Sequence, residues 1–147
     1  MKNRLSLLTM LLSCLLLVSG LAGCSQEESS AVGVTMTVLE EPPNDASYIR
    51  FVDETTATPT WHLLFSTDET VTDFRLLALD ESETQGDALY TLDKLTPDKP
   101  LVVSTYINDA TINRGVSYVD DNGATHIYSI VFSGKDGTLS LLLWPGE

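Results

Sequence analysis

Few groups in this 147-residue sequence are equipped for chemistry: two cysteines, two histidines, and 21 Asp and Glu against 8 Lys and Arg. Cys14 lies inside an apolar run, and Cys24 closes it in "GLAGCSQEESS". A thiolate is the form of cysteine that attacks electrophiles or binds metals, so Cys24, at the boundary between greasy and acidic sequence, has the most informative setting. His62 stands in "TWHLLFS" and His126 in "THIYSIVFS". A zinc site asks for three or four ligands, commonly at close spacings, and neither histidine has one nearby in sequence. No GxSxG elbow activates a serine. The expectation is a chain with no catalytic residue, no metal centre and no cofactor.

The carboxylates Asp80, Glu81, Glu83 and Asp87 in "DESETQGD", and Asp120-Asp121 in "DDNG", offer oxygens of the kind calcium takes. Neither stretch keeps the D-x-[DN]-x-[DN]-G spacing, so a solvated acidic loop is expected and calcium is the alternative. Tyr118 and Tyr128 fall in neighbouring expected strands and can pair across them. Exposed, that pair is a platform for a sugar ring; buried, it is core. The stretch "STYINDATINRG" (104–115) carries Asn108, Asp109, Asn113 and Arg114, and polar loops on rigid scaffolds are where recognition residues collect. The expected binding surface is therefore Tyr118, Tyr128, Asn108, Asp109, Asn113 and Arg114, facing a protein or carbohydrate partner.

Positioning such residues falls to strands. From residue 34 onward, short runs rich in Val, Ile, Tyr, Phe and Thr alternate with Gly, Pro, Asn and Asp, and no dozen-residue window keeps a helical stripe. Nine strands are expected, at 34–40, 47–53, 60–66, 70–80, 88–95, 101–107, 115–120, 125–133 and 138–144. Within 70–80, alternation sets Phe74, Leu76 and Ala78 on one face. Asn122-Gly123 and Asp136-Gly137 suit two-residue hairpin turns, which makes residues 115–144 a three-stranded antiparallel meander. The fold class that follows is all-β, a sandwich of about seven to nine strands.

The start of the chain is addressed rather than folded. Lys2 and Arg4 precede an apolar run from Leu5 to Val18, and Ser19-Gly20 break it; this is the layout of a secretory signal, too short to span a bilayer comfortably. Leu21-Ala22-Gly23-Cys24 resembles the lipobox of bacterial lipoproteins. The resemblance implies cleavage before Cys24, diacylglyceryl transfer to its sulfur, and a chain anchored to the membrane outside the cytoplasm. Ser25 is not the aspartate that retains such proteins at the inner membrane, so in a double-membraned host the implied address is the outer membrane. The expected organisation is a signal peptide over 1–23, an acidic flexible tether over 24–33, and one domain over 34–147.

Without residues 1–23 the chain keeps 124 residues, enough for one core, and six basic against 21 acidic residues, a formal charge of −15. Such a surface repels phosphate backbones and excludes nucleic acid as a partner. With Cys24 acylated, no cysteine is left for a disulfide, and core burial alone must hold the domain.

A second resemblance concerns architecture. "LYTLDKLTPDKPLVV" (89–103) is similar to the E-to-F crossing of fibronectin type III and related immunoglobulin-like domains, with Leu95 and Pro97 in the places of its leucine and proline. Leu101 stands where that family has a tyrosine, so the tyrosine-corner hydrogen bond is missing. Trp61 takes the place of a core tryptophan, without an accompanying cysteine pair. The resemblance implies an immunoglobulin-like antiparallel sandwich serving as a non-enzymatic binding or accessory module of the envelope. The alternative is a carbohydrate- or calcium-binding module beside a hydrolytic system.

Overall fold

The computed structural model describes residues 28–55, 58–79, 85–107 and 113–144. Ten strands form among them: β1 (Glu28–Ser30), β2 (Thr35–Leu39), β3 (Ile49–Val52), β4 (Trp61–Ser66), β5 (Val71–Leu79), β6 (Gln85–Leu95), β7 (Leu101–Thr105), β8 (Arg114–Val119), β9 (Thr125–Phe132) and β10 (Leu139–Leu143). They make two five-stranded sheets, β1-β2-β4-β7-β3 and β10-β9-β8-β5-β6. The all-β sandwich expected from alternation is what the chain forms, and all nine expected strands are present.

The inward sets of the two sheets meet in one core. Met36, Leu63, Phe65, Leu101 and Val103 come from the first sheet, and Phe74, Leu76, Val116, Tyr118 and Ile130 from the second. Because successive side chains alternate faces, each strand contributes every other residue. Phe65 meets Phe74 across the sheets at 5.3 Å between ring centroids. The seams are also closed. Phe51 stacks on Tyr90 at 4.6 Å on the β3–β6 side, and the Leu141 amide donates to Ser29 Oγ, 2.8 Å away, on the β1–β10 side.

The meander β8-β9-β10 is antiparallel throughout, but its turns differ from those expected. Gly123 and Gly137 have positive φ while Asn122 and Asp136 do not. In the first loop the Gly123 amide donates to the Asp120 carbonyl and the Asp120 amide to the Ala124 carbonyl. This is the longer hairpin in which a type I turn is followed by one left-handed residue.

Four further differences have physical reasons. β3 pairs with β7 in parallel, so the sandwich is antiparallel except at this edge. Pro42-Pro43 end β2, and the chain crosses to the far edge of the sheet instead of turning back in a hairpin. In β5 the expected alternation fails after Leu76: Leu77 and Leu79 are buried and Ala78 is not. Pairing with β6 shifts between Leu76 and Leu77 and again before Leu79, and a bulge of this kind re-aims the side chains beyond it. Gly86 permits the close approach there, since a Cβ on it would fall 1.8 Å from the Ala78 carbonyl oxygen. Segment 89–103, expected as an E-to-F crossing, instead joins the sixth strand, in the second sheet, to the seventh, in the first.

The fourth difference is the expected tether. Glu28–Ser30 pair antiparallel with Thr35–Thr37, so the latter part of the 24–33 segment is a docked edge strand. Two tyrosine hydroxyls hold the following turn. Tyr118 donates to the Val32 carbonyl at 2.6 Å, and the Val32 amide donates to Tyr128 Oη at 3.2 Å. A polar strand with few apolar side chains is fixed by such bonds rather than by burial.

Candidate functional site

A buried ion pair lies at one end of the sandwich, where β7 ends and β8 begins. Asp53 follows Ile49 and Phe51 on the inward period of β3, and Arg114 precedes Val116 and Tyr118 on the inward period of β8. Both therefore point into the space between the sheets. The Arg114 guanidinium meets Asp53 Oδ2 through Nε and Nη2, both at 2.9 Å, and both side chains are almost fully buried. Thr105 Oγ1 donates to the same oxygen at 2.7 Å, and Thr55 donates to Oδ1 through its amide and hydroxyl. Burial would raise the Asp53 carboxyl, but the hydrogen bonds from Thr55 and Thr105 and the Arg114 charge outweigh it and hold it below the usual value. The group is an inter-sheet clasp in which the Asp53 carboxyl is favoured in its ionised form.

Beside the clasp opens a pocket of about 270 Å³ lined by Trp61, Tyr106, Ile107 and Phe132. Thr105 connects the two, because it pairs in register with Trp61 and adjoins Tyr106. The Trp61 and Phe132 rings are 5.9 Å apart and inclined by 59°. Ile107 is buried and the three aromatic rings are half-exposed, so the pocket offers ring faces with a polar network behind them.

Among the described residues of the expected binding surface, Tyr118, Tyr128 and Arg114 are buried and form no exposed face. Tyr118 and Tyr128 do pair across β8 and β9, with centroids 6.2 Å apart and rings nearly parallel at 7°. Both are buried, however, in an aromatic layer with Phe74, so they form core and hold Val32 rather than a ligand. Burial pushes the Tyr118 phenol far above its ordinary pKa. Arg114 is the buried cation of the clasp, and Asn113 is half-buried, its carbonyl accepting from Leu79 and from Arg114. Asn108, Asp109 and Cys24 lie outside the described residues. Asp53 and Thr105 were absent from the expected set, although Asp53 sat legibly on an apolar face.

The histidines have separate partners. His62 Nδ1 and Ser104 Oγ are 2.8 Å apart on the outward face of the first sheet. His126 Nε2 lies 2.7 Å from Asp120 Oδ2 at the opposite end of the molecule from the clasp. That contact, with the Ala124 amide, holds the Asp120 carboxyl below its usual range. Among the described residues, serine and carboxylate thus do not converge on one imidazole. The neighbouring Asp121 carboxyl raises the Glu69 pKa, yet no three His, Cys, Asp or Glu among the described residues gather as metal ligands. Most of the 80–87 acidic stretch lies outside the described residues.

No protein-family model, curated protein or solved structure matches this chain.

Proposed function

We propose that this chain is a lipoprotein acylated at Cys24 and anchored outside the cytoplasm, whose immunoglobulin-like sandwich works as a non-enzymatic binding or accessory module. In a double-membraned host its address is the outer membrane. The observation that carries this reading is Leu21-Ala22-Gly23-Cys24 set behind a basic start and a short apolar run, in a chain with no cysteine after position 24. Two or three acyl chains give firm anchoring where one gives marginal binding. The immunoglobulin-like assignment is supported by strand order. With β1, β3 and β10 set aside, β2-β4-β7 faces β6-β5-β8-β9, which is A-B-E against C′-C-F-G in the lettering of that fold. The non-enzymatic assignment is supported by the separation of the His62–Ser104 and His126–Asp120 pairs.

Expression of the full chain and of Cys24→Ala tests the anchor. The expected result is wild-type protein in the membrane fraction, extracted by detergent, and a variant that keeps its leader unprocessed and unacylated. Wild-type protein recovered unmodified in the aqueous fraction would overturn the reading.

A carbohydrate-binding role is the second reading, favoured by the Trp61–Tyr106–Phe132 pocket, since half-exposed rings stack on the apolar faces of sugars. Tryptophan emission that shifts on titration with envelope glycans, and does not shift in Tyr106→Ala, supports it. An unchanged spectrum across such glycans rejects it.

A further inference from the structure

None of the four residues that line the pocket carries a charge, and three of them, Trp61, Tyr106 and Phe132, are aromatic. Trp61 continues the inward period of Leu63 and Phe65 along β4, and Phe132 that of Tyr128 and Ile130 along β9. Both rings pack against the core cluster on one side and are half-exposed on the other. Tyr106, the first residue past β7, adds the third ring. Inclined by 59°, the Trp61 and Phe132 rings do not lie flat together, which leaves ring face for a ligand.

An aromatic face is the negative side of the ring quadrupole and attracts cations. The surroundings carry the same sign. Exposed Glu40, Glu41, Glu54 and Asp136 stand at this end of the sandwich with Lys135 beside them, in a chain of 21 acidic against 8 basic residues. Glu40 follows Leu39, the register partner of His62, and Asp136 lies in the loop after Phe132. Such a field concentrates cations at the pocket. Which cation follows from the lining. A primary ammonium brings three N–H donors to walls whose one side-chain acceptor is the Tyr106 hydroxyl, and a buried donor without a partner is costly. A trimethylammonium group has methyls in place of donors and keeps its charge at every pH. We propose that the Trp61–Tyr106–Phe132 pocket is an aromatic cage for a trimethylammonium group. Its volume of about 270 Å³ falls just below the roughly 300–1,000 Å³ of ordinary ligand pockets, which suits one small head group. The inference rests on the binding-module reading above, naming its ligand, and does not require the acyl anchor. Two sources carry the group, free choline-like solutes and phosphatidylcholine head groups. Glu28, opposite Thr37, brings the chain in at this end of the body, which leaves both within reach.

The test follows tryptophan emission of the full mature protein carrying Trp144→Phe, which leaves Trp61 as the reporter. Choline chloride should shift the emission saturably. Its neutral isostere, with a tert-butyl group in place of trimethylammonium, and potassium chloride at equal concentration should not. Adding Tyr106→Leu removes one ring and should weaken choline binding at least about fivefold, with an unchanged melting temperature. Saturation by free choline assigns the dissolved solute as ligand, and a shift on phosphatidylcholine but not phosphatidylethanolamine vesicles assigns the lipid; either supports the cage. An equal response to the neutral isostere overturns the cage in favour of a plain apolar pocket. A response to envelope glycans with none to choline or phosphatidylcholine overturns it in favour of the sugar reading. Silence toward all of these probes overturns the cage and leaves a binding module without this ligand.

Discussion

At the residue scale, the clasp of Asp53, Arg114, Thr105 and Thr55 dominates. Removing one partner of a buried ion pair leaves an uncompensated charge, a loss of about 3–5 kcal/mol, whereas replacing both by apolar residues is often neutral or stabilising. Denaturant unfolding should therefore show Arg114→Met and Asp53→Asn each strongly destabilised, and the double variant Asp53→Leu/Arg114→Met recovering most of the loss. Two additive single effects would mean the charges do not act as a pair. The Asp53 carboxyl also sets a pH response. Its folded pKa lies below the unfolded value of about 3.9, so its contribution is complete above that value and is lost as pH falls through the folded pKa. Stability should be level from pH 7 to about 5 and decline below about 4; for Asp53→Asn the acid decline should be shallower. Asp53 was legible in outline, since it continues the inward period of Ile49 and Phe51, whereas Arg114 read as a loop residue ahead of the strand expected at 115–120 and proves to open β8. Their pairing was not legible, because 61 residues and two sheets separate them.

At the scale of elements, alternation made nine strands legible and left β1 hidden, since "ESS" has no apolar period and owes its place to bonds from Tyr118, Tyr128 and Leu141. The same bonds explain why those tyrosines, legible as a cross-strand pair, serve as latches for Val32. Tyr118→Phe deletes one hydrogen bond of about 1 kcal/mol. Hydrogen exchange at Ala31 and Val32 should rise about fivefold in that variant while β8 and β9 amides remain protected. Equal acceleration across β8 would show a core defect instead. The bulge at Gly86 was invisible in sequence because it arises from the register of β5 against β6. Gly86→Ala sets a methyl against the Ala78 carbonyl, so a loss of about 1–3 kcal/mol is expected, read as a lower denaturation midpoint; an unchanged midpoint would mean the strands part freely there.

At the scale of the whole molecule, a sandwich with no cysteine after position 24 carries a large negative charge, 21 acidic against 8 basic residues in the full sequence. Self-repulsion weakens a compact state and salt screens it, so the melting temperature should rise between 20 and about 200 mM sodium chloride; no rise would mean that self-repulsion does not limit the stability of the fold. β1 docks along β2 with Glu28 opposite Thr37 and Ser30 opposite Thr35, so the chain enters the body on the side of the Trp61 pocket. The proposed anchoring depends on Cys24. Intact-mass analysis of the mature native protein tests it most directly. The mass should correspond to a chain beginning at Cys24 and bearing diacylglyceryl, with residues 1–23 removed; an uncleaved leader, or an unmodified thiol at position 24, would contradict the account.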